Sequence, residues 1–154
     1  MEVSPDARTI IACARSWRGT RFAHQGRRKA DSHGSGGVDC LGLLVGIARE
    51  LHLKSRDGVP LAAQDALSYS KSPDGSVLKS RLEELLYPIA REEMRPGDVA
   101  LFSLDGQPQH LAVLSDYAPD MLGMIHAYAP TRRVVEHRLD DFWRNRLVSV
   151  YRWA

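Results

Sequence analysis

Two cysteines in 154 residues are too few for a disulfide framework. Cys13 and Cys40 stand in different segments, so both are expected as reduced thiols that need no oxidising compartment. Long apolar runs are missing as well: nothing approaches the ~20 residues that span a bilayer. The opening MEVSPDARTIIACARSW lacks the basic start and continuous apolar core of a secretory signal. The chain is therefore expected to be made in the cytoplasm and, if it acts elsewhere, to be carried there by other components. Charge of one sign is scarce too, because 21 Lys and Arg against 19 Asp and Glu leave a formal +2. That surplus would suit an anionic surface and makes no case for nucleic acid. Cys-x-x-Cys and His-x-x-x-His spacings are also missing. Cys40, His110, His126 and Asp39 are ligand types, but without such spacing no metal and no cofactor is expected.

What is present reads as one ordinary globular domain over residues 1–154, with 44% hydrophobic and 26% charged residues. Residues 4–17 predict a helix capped by Ser4, with Pro5 in its first turn. Cys13 falls inside it as a small packing residue. Residues 18–38 read as a polar, glycine-rich loop with a basic patch at Arg27, Arg28 and Lys29, either a solvated surface or a wall of a cleft. A second helix over 40–52 follows, with Asp39 placed to cap it. Residues 54–75 are mostly loop, and a third helix over 76–87 ends at Pro88.

The texture then changes. RPGD (95–98) is a turn, and VALFSL, HLAVLSDY, LGMIHAY, RVVEHRL and LVSVYRW are short β-type runs separated by turn residues. DDFWRN, between the last two, reads as one helical turn. Helices first and an antiparallel sheet of about five strands afterwards define an α+β domain.

One stretch stands out chemically. In GGVDCLGLLVGIARELHL (36–53) a cysteine stands at the mouth of a helix behind a loop of glycines. A thiolate attacks, a thiol does not, and a free thiol near pKa 8.5 is mostly protonated at neutral pH. The positive end of the helix dipole and a histidine within reach would both lower that value, whereas Asp39 opposes it and reads as a cap or a contact for a substrate amine. Among six histidines, His52 ends the second helix, His24 and His33 belong to the polar loop, and His137 falls on the surface by alternation. His110 and His126 border the apolar runs QHLAVL and GMIHAY. On neighbouring antiparallel strands their rings would lie side by side, the second orienting the first. Read from the residues alone, structural or solvated histidines remain the alternative.

The order GxxDCxGL, RPGDVALF, QHLAVL, GMIHAY closely resembles the NlpC/P60 family of papain-like cysteine peptidases. SWRGTRFAHQG and HRLDDFWRNRLVSVYRW are similar to the branch found in bacteriophage tails and gene-transfer agents. The likeness runs from about Ala14 to Trp153. It implies a papain-like α+β core in which Cys40 is the nucleophile, His110 the base, His126 the third polar member and Asp39 the acid before the nucleophile. It further implies hydrolysis of peptidoglycan stem peptides, often between γ-D-glutamate and diaminopimelate, with phage-tail or tail-like particle proteins as possible partners. Phe22 stands where many members carry tyrosine and Leu41 where serine is commoner. With Gly37 in the approach loop, these positions are expected to border the substrate. A catalytically idle tail or wall-binding module, and a secreted antibacterial amidase toxin, are the alternatives of the same likeness.

Overall fold

The computed structural model describes residues 6–64 and 76–154. Its first helix, α1 (Ala7–Ser16), is capped by Asp6, whose carboxylate accepts from the Arg8 N–H. Ser4 and Pro5 lie outside the described residues, and the helix starts later than their spacing predicts. α1 buries Ile10, Ile11, Cys13 and Ala14 along one stripe.

The loop expected over 18–38 carries a short antiparallel ribbon, β1 (Arg27–Arg28) with β2 (Gly37–Val38). It leads into α2 (Cys40–Leu51), whose residues Leu41 to Ala48 are all buried. A helix apolar all round belongs inside a domain, and α2 is the central one. His52 ends it in the left-handed conformation, φ 54°. A turn of 3-10 helix follows at Leu61–Gln64, and α3 (Ser76–Leu85) packs Leu78 and Leu82 inward. Among the described residues no helix is long and apolar enough to cross a membrane.

The remaining chain forms one antiparallel sheet in the order β3-β8-β4-β5-β6-β7. The strands are β3 (Tyr87–Ile89), β4 (Val99–Leu104), β5 (Gln107–Ala118), β6 (Met121–Tyr128), β7 (Arg133–Arg138) and β8 (Leu147–Arg152), with α4 (Asp141–Arg144) before the last. The sequence predicts about five strands, and the sheet has six. The addition is β3, where Pro88 was legible only as a helix stop. A proline is tolerated there because β3 is an edge strand with a single neighbour, β8.

Period-2 alternation divides the sheet's side chains between two cores. Leu101, Leu111, Val113, Ile125, Ala127 and Val134 pack with α1, α2 and α3. Ala100, Phe102, Ala112, Leu114 and Met124 pack on the opposite face with Leu139 and Trp143. Both faces of the central strands are therefore covered, which is why VALF, LAVL and GMI read as continuous apolar runs. His110 and His126 fall on the second face by the same alternation, beside Phe102 and Trp143.

Candidate active site

The site is assembled where the start of α2 meets β5. Asp39 is the N-cap of α2: its Oδ1 accepts the Gly42 N–H at 2.7 Å and Nη1 of Arg27 at 2.9 Å. Its Oδ2 accepts the Gln25 N–H at 2.9 Å. Asp39 is 5% exposed, and both oxygens tie the preceding loop to the helix. Gly42 explains the Asp-Cys-x-Gly spacing, because a Cβ there would lie 2.2 Å from the Gly26 carbonyl oxygen. Only a bare Cα lets this loop seat against the first turn.

Cys40 is half-buried, and its thiol donates to the carbonyl of Gln109 at 3.7 Å. The N–H groups of Leu111 and Leu41 favour the thiolate, so the sulfur rests against the backbone on either side of His110. This contact is possible because β5 and β6 pair only from Val113↔Ile125 to Ala118↔Met121. Residues 109–111 lie past the end of that ladder. Burial and then the Asp39 carboxylate push the thiol up to about 11. The expected lowering by the helix end is overridden. A helix terminus contributes ~0.3–1 kcal/mol, less than the roughly 1.4 kcal/mol that one pH unit represents.

Three imidazoles run away from this point in a line. His110 Nε2 lies 2.7 Å from His126 Nδ1, and His126 Nε2 lies 2.8 Å from His137 Nε2. His137 Nδ1 lies 2.8 Å from the Arg138 carbonyl. Burial, and secondarily the charge of His137, pushes His110 down to about 4. Burial with the charges of His110 and His137 pushes His126 down to about 2. Trp143 covers the row, its ring 5.2 Å from His110 and 5.1 Å from His126. Tyr128 stacks on His126 at 5.3 Å and meets His110 edge-on at 5.5 Å. Tyr128 also lines an open groove of about 1000 Å³ with Ser103, Leu104, Phe142 and Arg146. The exposed Phe142 ring carries the Arg146 guanidinium 3.6 Å from its centre.

The structure thus brings Cys40, His110 and His126 to one stretch of β5 and β6, although the thiol hydrogen-bonds the Gln109 carbonyl and not the His110 ring. Asp39 is engaged by the Gly42 and Gln25 N–H groups and by Arg27, and is buried among them. Leu41 is buried and, with Leu44, Val45, Leu78 and Trp153, lines an apolar cavity beside α2, because the residue after the cap turns onto the inner face of that helix. Gly37 is buried in β2, and its close approach is to Ala23 of this same chain: a Cβ would lie 2.8 Å from Ala23 Cβ. Phe22 is half-buried against the helical core and bridges Val38 through its backbone. Of the basic patch, Arg27 holds Asp39 and Lys29 pairs with Glu50. Cys13 is buried and donates to Glu50 at 3.3 Å.

His137, Trp143 and Tyr128 surround this set without any sequence expectation that placed them there. Alternation puts His137 on the surface, whereas it is half-buried and bonded to His126, because β7 lies beside β6 with His137 opposite Met124. Asp140, which caps α4 through the Trp143 N–H, was the available signal that the tryptophan is fixed and inward.

Compared by sequence, the chain matches no family model and no curated protein. Compared by fold, it is similar to solved NlpC/P60 structures. An NlpC/P60 family protein from Bacillus cereus has TM-score 0.65 and 18% identity, over 98% of this chain and 41% of that one. The NlpC/P60 domain of the peptidoglycan hydrolase SagA has TM-score 0.60 and 16% identity, over 96% of this chain and 98% of that one. An N-acetylmuramoyl-L-alanine amidase from Bacteroides uniformis has TM-score 0.55 and 13% identity, over 96% and 98%. The chain spans less than half of the Bacillus cereus protein and nearly all of the other two. Its fold is the NlpC/P60 fold, an α+β arrangement of helices on an antiparallel sheet.

Proposed function

We propose that this protein is a thiol hydrolase of bacterial cell-wall peptides, with Cys40 as nucleophile, His110 as base and His126 as the group that orients it. The observation that carries the reading is the position of the Cys40 sulfur against the backbone flanking His110, whose far nitrogen is held at 2.7 Å by His126. The fold shared with the peptidoglycan hydrolase SagA supports the substrate class.

In this reaction the thiol leaves the Gln109 carbonyl and gives its proton to His110 Nδ1 as the sulfur attacks a peptide carbonyl. The resting pair is neutral, since burial disfavours both the thiolate and the imidazolium. Charge appears only as the two groups meet, and each then offsets the other. The N–H of Cys40, at the first position of α2, has no partner inside the helix and faces the developing oxyanion. The C–N bond breaks as His110 returns the proton to the leaving amine. Water then cleaves the thioester, giving one proton to His110, which restores the thiol. The bond assigned is γ-D-glutamyl–diaminopimelate, and the setting assigned is a phage-tail-like delivery particle acting on the periplasmic wall.

A second reading, a wall-binding module without turnover, is favoured by the thiol's raised pKa and its contact with Gln109. One experiment separates the two. Purified peptidoglycan is digested with the protein and with Cys40→Ala, and the muropeptides are analysed by mass spectrometry. New stem-peptide fragments from the native protein alone support the peptidase. Fragments in both digests exclude Cys40 as nucleophile, and fragments in neither favour the binding module. Release at the lactyl–alanine amide would replace the endopeptidase assignment with an amidase.

A further inference from the structure

Outside the Cys40, His110 and His126 set, one polar group of the site has no role in the chemistry above. His137 stands at the end of the imidazole line, on β7, the far edge strand of the sheet. Its Nδ1 faces a carbonyl oxygen, Arg138 O, at 2.8 Å. A carbonyl has no proton to give, so His137 Nδ1 carries one. In neutral His137 the other nitrogen, Nε2, is then a bare acceptor.

The consequence propagates. His126 Nε2, 2.8 Å away, must be the donor, so neutral His126 has a bare Nδ1. His110 Nε2, 2.7 Å from that Nδ1, must donate in turn. The remaining nitrogen of His110 is Nδ1, and it is left with its lone pair free. One backbone carbonyl at the sheet edge therefore fixes three tautomers in series and delivers the base in its reactive form. With all three rings neutral and the Arg138 carbonyl accepting, reversing a single link would place two protons or two lone pairs face to face.

We propose that His137 is a positioning residue that sets the tautomer of His110 through His126 and leaves His110 Nδ1 bare for the thiol proton. The reactive role of that nitrogen rests on the hydrolase reading; the tautomer order itself does not. Trp143 contributes by covering the line, which keeps water from offering alternative partners.

The test uses full-length protein labelled with ¹⁵N at histidine rings, with long-range ¹H–¹⁵N correlations recorded at pH 7.5. In the native protein His110 and His126 are expected as pure Nε2–H tautomers and His137 as Nδ1–H. His137→Leu removes the acceptor for His126 Nε2–H, and His110 is expected to become a mixture of tautomers. Turnover of muropeptides should fall about 10-fold or more through kcat, a part of the roughly 10²–10⁴-fold that a correctly protonated general base contributes, with KM little changed. His137→Gln offers a side-chain oxygen to His126, and it is expected to restore the Nε2–H form of His110 and most of the turnover. An unchanged His110 tautomer in His137→Leu overturns the proposal, as does equal loss in the Leu and Gln variants when both keep the native fold. A tautomer response without any hydrolysis by the native protein upholds the positioning role and overturns the hydrolase reading alone.

Discussion

Arg27 Nη1 sits 2.9 Å from Asp39 Oδ1, the same oxygen that caps the helix beginning at Cys40. The two side chains are 16% and 7% exposed, so the pair is largely removed from water. Through it a surface loop sets both the position of Cys40 and the field around it.

That field can be read from the thiol. Asp39 raises the Cys40 pKa and Arg27 lowers it. Arg27→Met is expected to move the midpoint of Cys40 alkylation by iodoacetamide up by about one pH unit, and Asp39→Asn to move it down by a similar amount. Peptide mass spectrometry across pH 7 to 12 checks this, with Cys13 as internal reference, itself held up at about 12 by burial and Glu50. Both variants should also lose stability, by about 1–3 kcal/mol, since each removes a charge-assisted hydrogen bond from a largely buried pair.

Acid should weaken the fold through the imidazole line. Histidines in the unfolded chain titrate near pH 6.5, whereas His110 stays neutral to about 4 and His126 to about 2. Below pH ~6.5 the unfolded chain therefore binds more protons, and stability falls as pH falls. Two such groups give a slope approaching roughly 2.7 kcal/mol per pH unit between about pH 5.5 and 4. Urea midpoints measured over this range test the slope, and His126→Leu should reduce it by about one proton.

Trp143 is 4% exposed and packs on His110, His126, Tyr128 and Phe102. Trp143→Ala is expected to cost about 3–5 kcal/mol in chemical denaturation. Water admitted over the rings should bring the His110 and His126 titrations, followed by NMR, back toward the ordinary imidazole range. Titrations that stay depressed would show that Trp143 is not what keeps the rings dry.

Gly42→Ala pits helix propensity against space. Alanine favours a helix interior by about 1 kcal/mol over glycine, but here the new methyl would meet the Gly26 carbonyl at 2.2 Å and Arg27 Nη1 at 3.0 Å. Overpacking of a rigid backbone costs about 1–3 kcal/mol, so a net loss of stability and slower Cys40 alkylation are expected. Thermal melts and the labelling rate report the two effects separately. A stabilised variant would mean that the loop carrying Arg27 yields freely.

Much of this was legible along the chain. The cap Asp39 and the helix it opens followed from local rules, as did the RPGD turn and the order of the β-type runs, because capping, turn geometry and apolar periodicity act over a few residues. The nomination of Cys40, His110 and His126 came from the likeness of their flanking residues to a known family, since local rules left structural or solvated histidines open. β3 was not legible, since a three-residue edge strand with a proline carries almost no periodic signal. That Leu41 and Gly37 are buried was not legible either, because a local pattern does not say which side of a helix or ribbon meets the core.

Sequence by itself determined the elements and the chemical cast: a cysteine at a helix start and histidines on short strands. Tertiary structure alone decided how they are wired. The β5–β6 ladder ends where the thiol rests, so the sulfur meets a carbonyl beside His110 and, with burial, stays protonated. β7 lies beside β6, so a histidine that alternation assigns to solvent becomes the half-buried last link of the row. Hydrogen-bond direction and desolvation depend on neighbours far apart in the chain, and only folding brings those neighbours together.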